Sequence, residues 1–209
     1  MTPRERVVET LRHRVPDMVP LDIGGTESSG ITAMAYHRLR AAMGLPPGRG
    51  QVFDVGQQVV KIEDDVRAAL GLDTVPLLLE PRRWKPWTLS DGSPCEVPEK
   101  WCPEREGGGW VVRDAAGRVA SRMPEGGYYF EPVLAPLAGV EHPRELDRFE
   151  PLIAGFDWPA FADESSEALA ARARHLCETT DLAVVANLEF HLLAAGQSLR
   201  GYDTFLMDL

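Results

Sequence analysis

The sequence predicts an α/β fold of buried strands with helices between them, and three observations predict it. Residues 19–22, 74–79 and 182–186 form short, nearly continuous apolar runs of strand length, as in strands buried on both faces of a parallel sheet. Stretches with apolar residues at helical spacing lie between them, the alternation expected of this architecture. Each run then opens into a polar loop carrying a carboxylate: Asp22, Glu80 and Glu189. In a parallel barrel, loops at the carboxyl ends of the strands hold ligands and catalytic groups. These three carboxylates are the candidate catalytic residues.

Each element has its own signal. Thr2 as N-cap, Pro3 in the first turn and Glu5 three residues after the cap read as a capping box, with Val7, Val8 and Leu11 as the apolar stripe of a helix ending before Pro16. After Asp22, Gly24 and Gly25 let backbone N–H groups approach a ligand, and with Thr26 they are candidate substrate-binding positions; paired glycines also simply turn a chain. Ile31, Met34, Ala35, Leu39, Ala42 and Met43 predict a helix over 31–43 that stops at Gly44. Val59, Ile62, Val66 and Leu70 predict another over 59–70, closed by Gly71. Within 74–79, Pro76 must sit where no ladder N–H is needed.

Residues 84–132 change character, with Trp84, Trp87, Trp101, Trp110 and many glycines and prolines. They read as a β-rich insertion of hairpins, the best pair being 110–114 with 117–121. Tyr128, beside Gly126 and Gly127, either lines a pocket or anchors a loop in a core. Ser165 or Ser166 caps a helix to about Thr180, with Leu169, Ala173 and Leu176 on its apolar face. Asn187 and His191 accompany Glu189 after the third run, as further substrate-binding candidates. A last helix begins after Gly201.

The chain has 209 residues, 44% of them apolar, enough for a sizeable core. A formal charge of −10, from 32 acidic and 22 basic residues, argues against nucleic acid as a partner. No run has transmembrane length, the N-terminus has no apolar signal-peptide core, and three cysteines without a tight framework suit free thiols; together these predict a cytoplasmic protein with no membrane partner.

Four stretches carry a resemblance: Thr2-Pro-Arg-Glu-Arg-Val-Val, Pro16-Asp-Met-Val-Pro-Leu-Asp-Ile-Gly-Gly25, Met123-Pro-Glu-Gly-Gly-Tyr-Tyr-Phe130 and Leu199-Arg-Gly-Tyr-Asp-Thr-Phe-Leu206. In their order and separation they resemble the uroporphyrinogen decarboxylase family, and within it the branch related to corrinoid-dependent methyltransferases. The resemblance implies a TIM (β/α)8 barrel with its substrate at the carboxyl ends of the strands. Family members are longer, so 1–209 reads as the N-terminal part of one such domain, to be completed by a missing C-terminal half or by a partner copy in a homo-oligomer. It also implies zinc and a corrinoid for the full-length protein, with neither bound by this segment alone, and a small molecule or a corrinoid protein as substrate.

The departures choose between branches. Decarboxylases carry Met-Arg-Gln-Ala-Gly-Arg-Tyr after their first strand, and its arginines bind the porphyrin precursor's carboxylates. Here residues 23–30 read Ile-Gly-Gly-Thr-Glu-Ser-Ser-Gly, so a polycarboxylate would meet Glu27 instead of guanidinium groups. The methyltransferase branch binds zinc through a His-x-Cys pair and a later Cys. His175 and Cys177 have that spacing but fall in a predicted helix, where side chains two apart point about 200° apart. No metal ligand is therefore assigned. Three functions stay open: methyl transfer from a corrinoid to a thiol, uroporphyrinogen decarboxylation, and a non-catalytic module that holds a small ligand.

Overall fold

The computed structural model describes residues 1–151, 162–187 and 192–209. In chain order the elements are α1 (Pro3–Leu11), α2 (Ala33–Ala42), β1 (Val52–Asp54), β2 (Val59–Val60), α3 (Asp64–Leu70), β3 (Thr74–Leu77), β4 (Trp84–Thr88) and β5 (Pro94–Pro98). Then come β6 (Glu104–Glu106), β7 (Gly109–Arg113), β8 (Val119–Met123), β9 (Glu131–Pro132), α4 (Ser166–Thr179), β10 (Ala183–Ala186), α5 (Leu192–Arg200) and α6 (Tyr202–Met207). They divide between two compact units, Met1–Lys100 with Phe161–Leu188, and Trp101–Ala160 with Glu189–Leu209.

The predicted barrel is corrected. Among the described residues the strands form four separate sheets, β1–β2, β3–β10, β4–β5 and β6–β7–β8–β9, and none closes. A barrel needs every strand paired on both edges in a staggered ring. Among the described strands the one parallel ladder is β3–β10, in the register Thr74–Ala183 through Leu77–Ala186. The run at 19–22 does not form a strand. It touches the start of β3 through one backbone bond, Asp73 N to Leu21 O (2.8 Å), and Pro20 has no N–H to extend a ladder.

In the first unit, α1 starts on the capping box read from Thr2 and Glu5. Arg4 ties this helix to the chain entering β10: its Nε donates to Leu182 O (3.0 Å) and its Nη2 to Thr180 O (2.6 Å). The helix predicted over 59–70 begins only at Asp64, because Val59 and Val60 pair with β1 and are buried. A buried two-residue strand and the first turn of an apolar helix face look alike in sequence. Of the two candidate caps for α4, Ser165 is the one used, its hydroxyl accepting from Ala168 N (3.2 Å). The core gathers Tyr36, Val52, Val60, Val66, Leu78 and Val97.

In the second unit, β7 and β8 pair antiparallel with Trp110 opposite Met123, and β6 and β9 flank them. Phe130 is buried edge-on against Trp101, with ring centroids 5.2 Å apart. α5 and α6 meet at Gly201, whose φ of +84° suits glycine. Its core contains Trp101, Val111, Met123, Leu137 and Val140. Among the described residues no helix is long and apolar enough to cross a membrane.

Candidate functional site

The loop after Asp22 folds on its own acceptors. Asp22 Oδ1 accepts from Gly25 N (3.0 Å) and from the Thr74 hydroxyl, Gly24 N donates to Ser29 O (2.9 Å), and Thr26 N donates to Ser29 Oγ (3.2 Å). The amides of Gly24, Gly25 and Thr26, the candidate substrate-binding positions, are thus already bonded, and a ligand approaching them would have to displace these partners. Gly24 has a φ of +78°, and a Cβ there would come within 2.8 Å of Ile62 Cγ1, so the tight turn requires glycine.

This fold carries Glu27 to the end of β10. Asn187, the residue after that strand, donates from its backbone N–H to Leu77 O (3.1 Å) and from its side-chain amide to Glu27. Asp54 at the end of β1 adds a third polar group within electrostatic reach of Glu27. Its carboxylate accepts from Gly56 N (2.9 Å), Gln57 N (3.1 Å) and Gln57 Nε2 (3.0 Å). Burial, aided by the charge of Glu27, nevertheless pushes the Asp54 carboxyl above its ordinary value. A carboxyl that holds its proton longer than usual is suited to proton transfer.

Because the raised value penalises ionised Asp54 in the folded state, its contribution to stability is full below the unfolded carboxyl pKa and is lost as pH rises through the folded one. D54N keeps the shape and does not ionise. Urea unfolding at pH 3 and pH 7 is therefore expected to show D54N gaining on the wild type at the higher pH; a pH-independent difference would contradict the assignment.

Glu80 lies elsewhere. Asp22 sits beside Thr74 at the start of β3, whereas Glu80 follows three residues after its end, and a strand of this length separates the two by about 10 Å. Glu80 Oε1 accepts from Lys61 Nζ (2.5 Å) and pairs with Arg172 Nη1 (3.3 Å). Arg172 also grips Glu164 Oε2 (2.6 Å) and donates to Leu78 O. Burial works against its charge, but Glu164 and Glu80 hold Arg172 above its usual value, and the bond from Arg172 holds Glu164 below its own. Lys61, Glu80 and Arg172 border a cleft of about 370 Å³ between α3 and α4.

Glu189 and His191 lie outside the described residues. Tyr128 belongs to the second unit, where it is 57% exposed in the turn after β8 while Phe130 is the buried aromatic. Asp54, Lys61 and Glu164 carry little signal as site residues in the sequence: Asp54 shows only as an acid two residues before a glycine, a turn signal.

The described residues do not fit the zinc that the resemblance implies: among them no three of His, Cys, Asp and Glu gather to hold a metal. His175 and Cys177 lie on α4 as the sequence reading placed them. Cys95 is buried, and burial together with the charges of Asp91 and Glu96 pushes its thiol up to about 12, while Cys102 and Cys177 are exposed. Comparison of the chain with family models, curated proteins and solved structures found no match.

Proposed function

We propose that this chain is a uroporphyrinogen decarboxylase-like protein acting as a methyltransferase, or part of one, moving a methyl group from a corrinoid to a thiol in the cytoplasm. Its substrate is a small molecule or a corrinoid protein. The four stretches quoted above support the family. The observation that carries the choice of branch is the loop after Asp22, which presents Glu27 to Asn187 where decarboxylases present arginine. A carboxylate there, with Asp54 near it, repels a polycarboxylate tetrapyrrole instead of clamping it.

The chain's own groups have definable tasks in this reading. Asn187 orients Glu27, Asp22 fixes the loop through Thr74 and Gly25, and Asp54 holds or releases a proton at its carboxyl. No step is derived through zinc, for which the described residues supply no ligand set.

Titration with uroporphyrinogen tests the choice. No saturable binding is expected, and tight binding with release of carbon dioxide would replace this reading with the decarboxylase one. A second reading, a non-catalytic module that holds a small ligand, is favoured by the internal bonding of Asp22 Oδ1 to Gly25 N and the Thr74 hydroxyl. It predicts that changing Asp22 alters ligand binding while no turnover is found.

A further inference from the structure

The cleft between α3 and α4 has a separate logic, independent of methyl transfer. Two cations from different parts of the chain converge on one carboxylate: Lys61, just after β2, and Arg172, on α4, both meet Glu80. Arg172 is held from behind by Glu164 and by Leu78 O, so its position does not depend on Glu80. Lys61 Nζ donates to Glu80 alone among the described residues, although an ammonium has three donors.

The backbone at Glu80 is fixed, its carbonyl accepting from Asp163 N (3.2 Å) and Glu164 N (3.1 Å), while its side chain keeps about a quarter of its surface in water. The carboxylate can therefore swing out by side-chain rotation without unfolding the loop. Ile62, Val75, Pro76 and Leu176 give the cleft apolar surface beside these charges, and Arg49, Gln51, Glu63, Asp64 and Arg67 complete its lining. Apolar side chains with a few convergent charged groups are the usual makeup of a small-molecule site.

We propose that this cleft binds a small carboxylate with a short apolar body, the ligand's carboxylate taking the place that Glu80 holds between Lys61 and Arg172. With Glu80 turned away, Lys61, Arg172 and Glu164 leave one positive charge in excess, the other charges on the lining being matched already: Arg49 by Glu96, Glu63 by Arg40, and Arg67 by Asp64. A monoanion matches that excess and a phosphate dianion exceeds it. The planar guanidinium also suits a carboxylate. Glu80 is the internal competitor for the ligand, since turning it away leaves Lys61 unpaired and Arg172 with Glu164 alone in a half-buried site, which is costly.

Calorimetric titration of the full chain with pentanoate and with inorganic phosphate tests this. E80Q, and equally E80A, is expected to bind pentanoate at least tenfold tighter than the wild type. K61M is expected to bind it at least tenfold more weakly, and phosphate is expected to bind E80Q more weakly than pentanoate does. Equal pentanoate affinity in the wild type and both Glu80 variants would overturn the proposal, as would unchanged binding in K61M or phosphate binding as tight as pentanoate.

Discussion

Replacing Arg40 with methionine is expected to destabilise the first unit by about 3 kcal/mol, the scale for breaking a buried ion pair from one side. Arg40 lies on α2 with its side chain only 4% exposed. Its guanidinium donates from Nη1 to Glu63 Oε2 (2.6 Å) and Asp65 Oδ1 (2.9 Å), from Nη2 to Asp65 Oδ2 (2.7 Å), and from Nε to Pro46 O (2.9 Å). The Tyr36 ring lies 5.7 Å from it. One side chain thus joins α2, the loop at Pro46 and the start of α3, and methionine leaves two carboxylates facing each other with no cation. R40K keeps the charge but loses the two-pronged grip on Asp65, so a smaller loss is expected. Urea unfolding measures both variants. A loss below about 1 kcal/mol in R40M would mean that water compensates the two acids. The bond from Arg40 also holds the Asp65 carboxyl below its usual range, so this pairing contributes above the unfolded carboxyl pKa and is lost as pH falls through the folded one. Acid sensitivity should accordingly weaken in R40M.

Changing Asp73 to alanine is the second large effect, expected at about 3 kcal/mol because a buried carboxylate that holds both Leu21 N and Arg6 is lost, leaving Arg6 with Asp17 as its acidic partner. Asp73 is 1% exposed. Its carboxylate accepts from Leu21 N (2.7 Å) and from Arg6 Nη1, its own N–H donates to Leu21 O, and its carbonyl accepts from Ala183 N (2.8 Å). α1, the extended run at 19–22, β3 and β10 therefore meet at this residue. D73N retains an acceptor for Leu21 and loses only the charge facing Arg6, so a smaller loss, about 1–2 kcal/mol, is expected. Amide exchange of residues 4–22 should accelerate in D73A before the rest of the unit is affected, because these residues are tied to β3 at this point. Unaltered protection there would show that α1 is held by Arg4 alone.

The local signals proved the more legible part of the fold. Thr2 and Glu5 announce α1, Ser165 announces α4, and the run at 182–186 becomes β10, because caps and continuous apolar runs act through neighbours in the chain. Closure of a barrel is a property of strands far apart, and nothing local in residues 19–22 says that Pro20 and a single backbone-to-backbone bond to Asp73 would leave that run without a ladder. The same limit hid the polar groups that matter. Arg40 reads as an exposed charge on a weakly amphipathic helix until Glu63 and Asp65 are brought to it from more than twenty residues away. Asp22 and Glu80 each end an apolar run, and the sequence treats them alike. Only the pairing of one with Thr74 and the other with Lys61 separates them.

The most direct test of the functional reading is the visible spectrum of methylcobalamin incubated with the protein, a thiol and zinc in the buffer, with wild type and E27Q compared. Methyl transfer to the thiol is predicted for the wild type, with at least a tenfold lower rate in E27Q, whose loop has lost the carboxylate that Asn187 orients. No demethylation by the wild type, or equal rates in the two proteins, would contradict it.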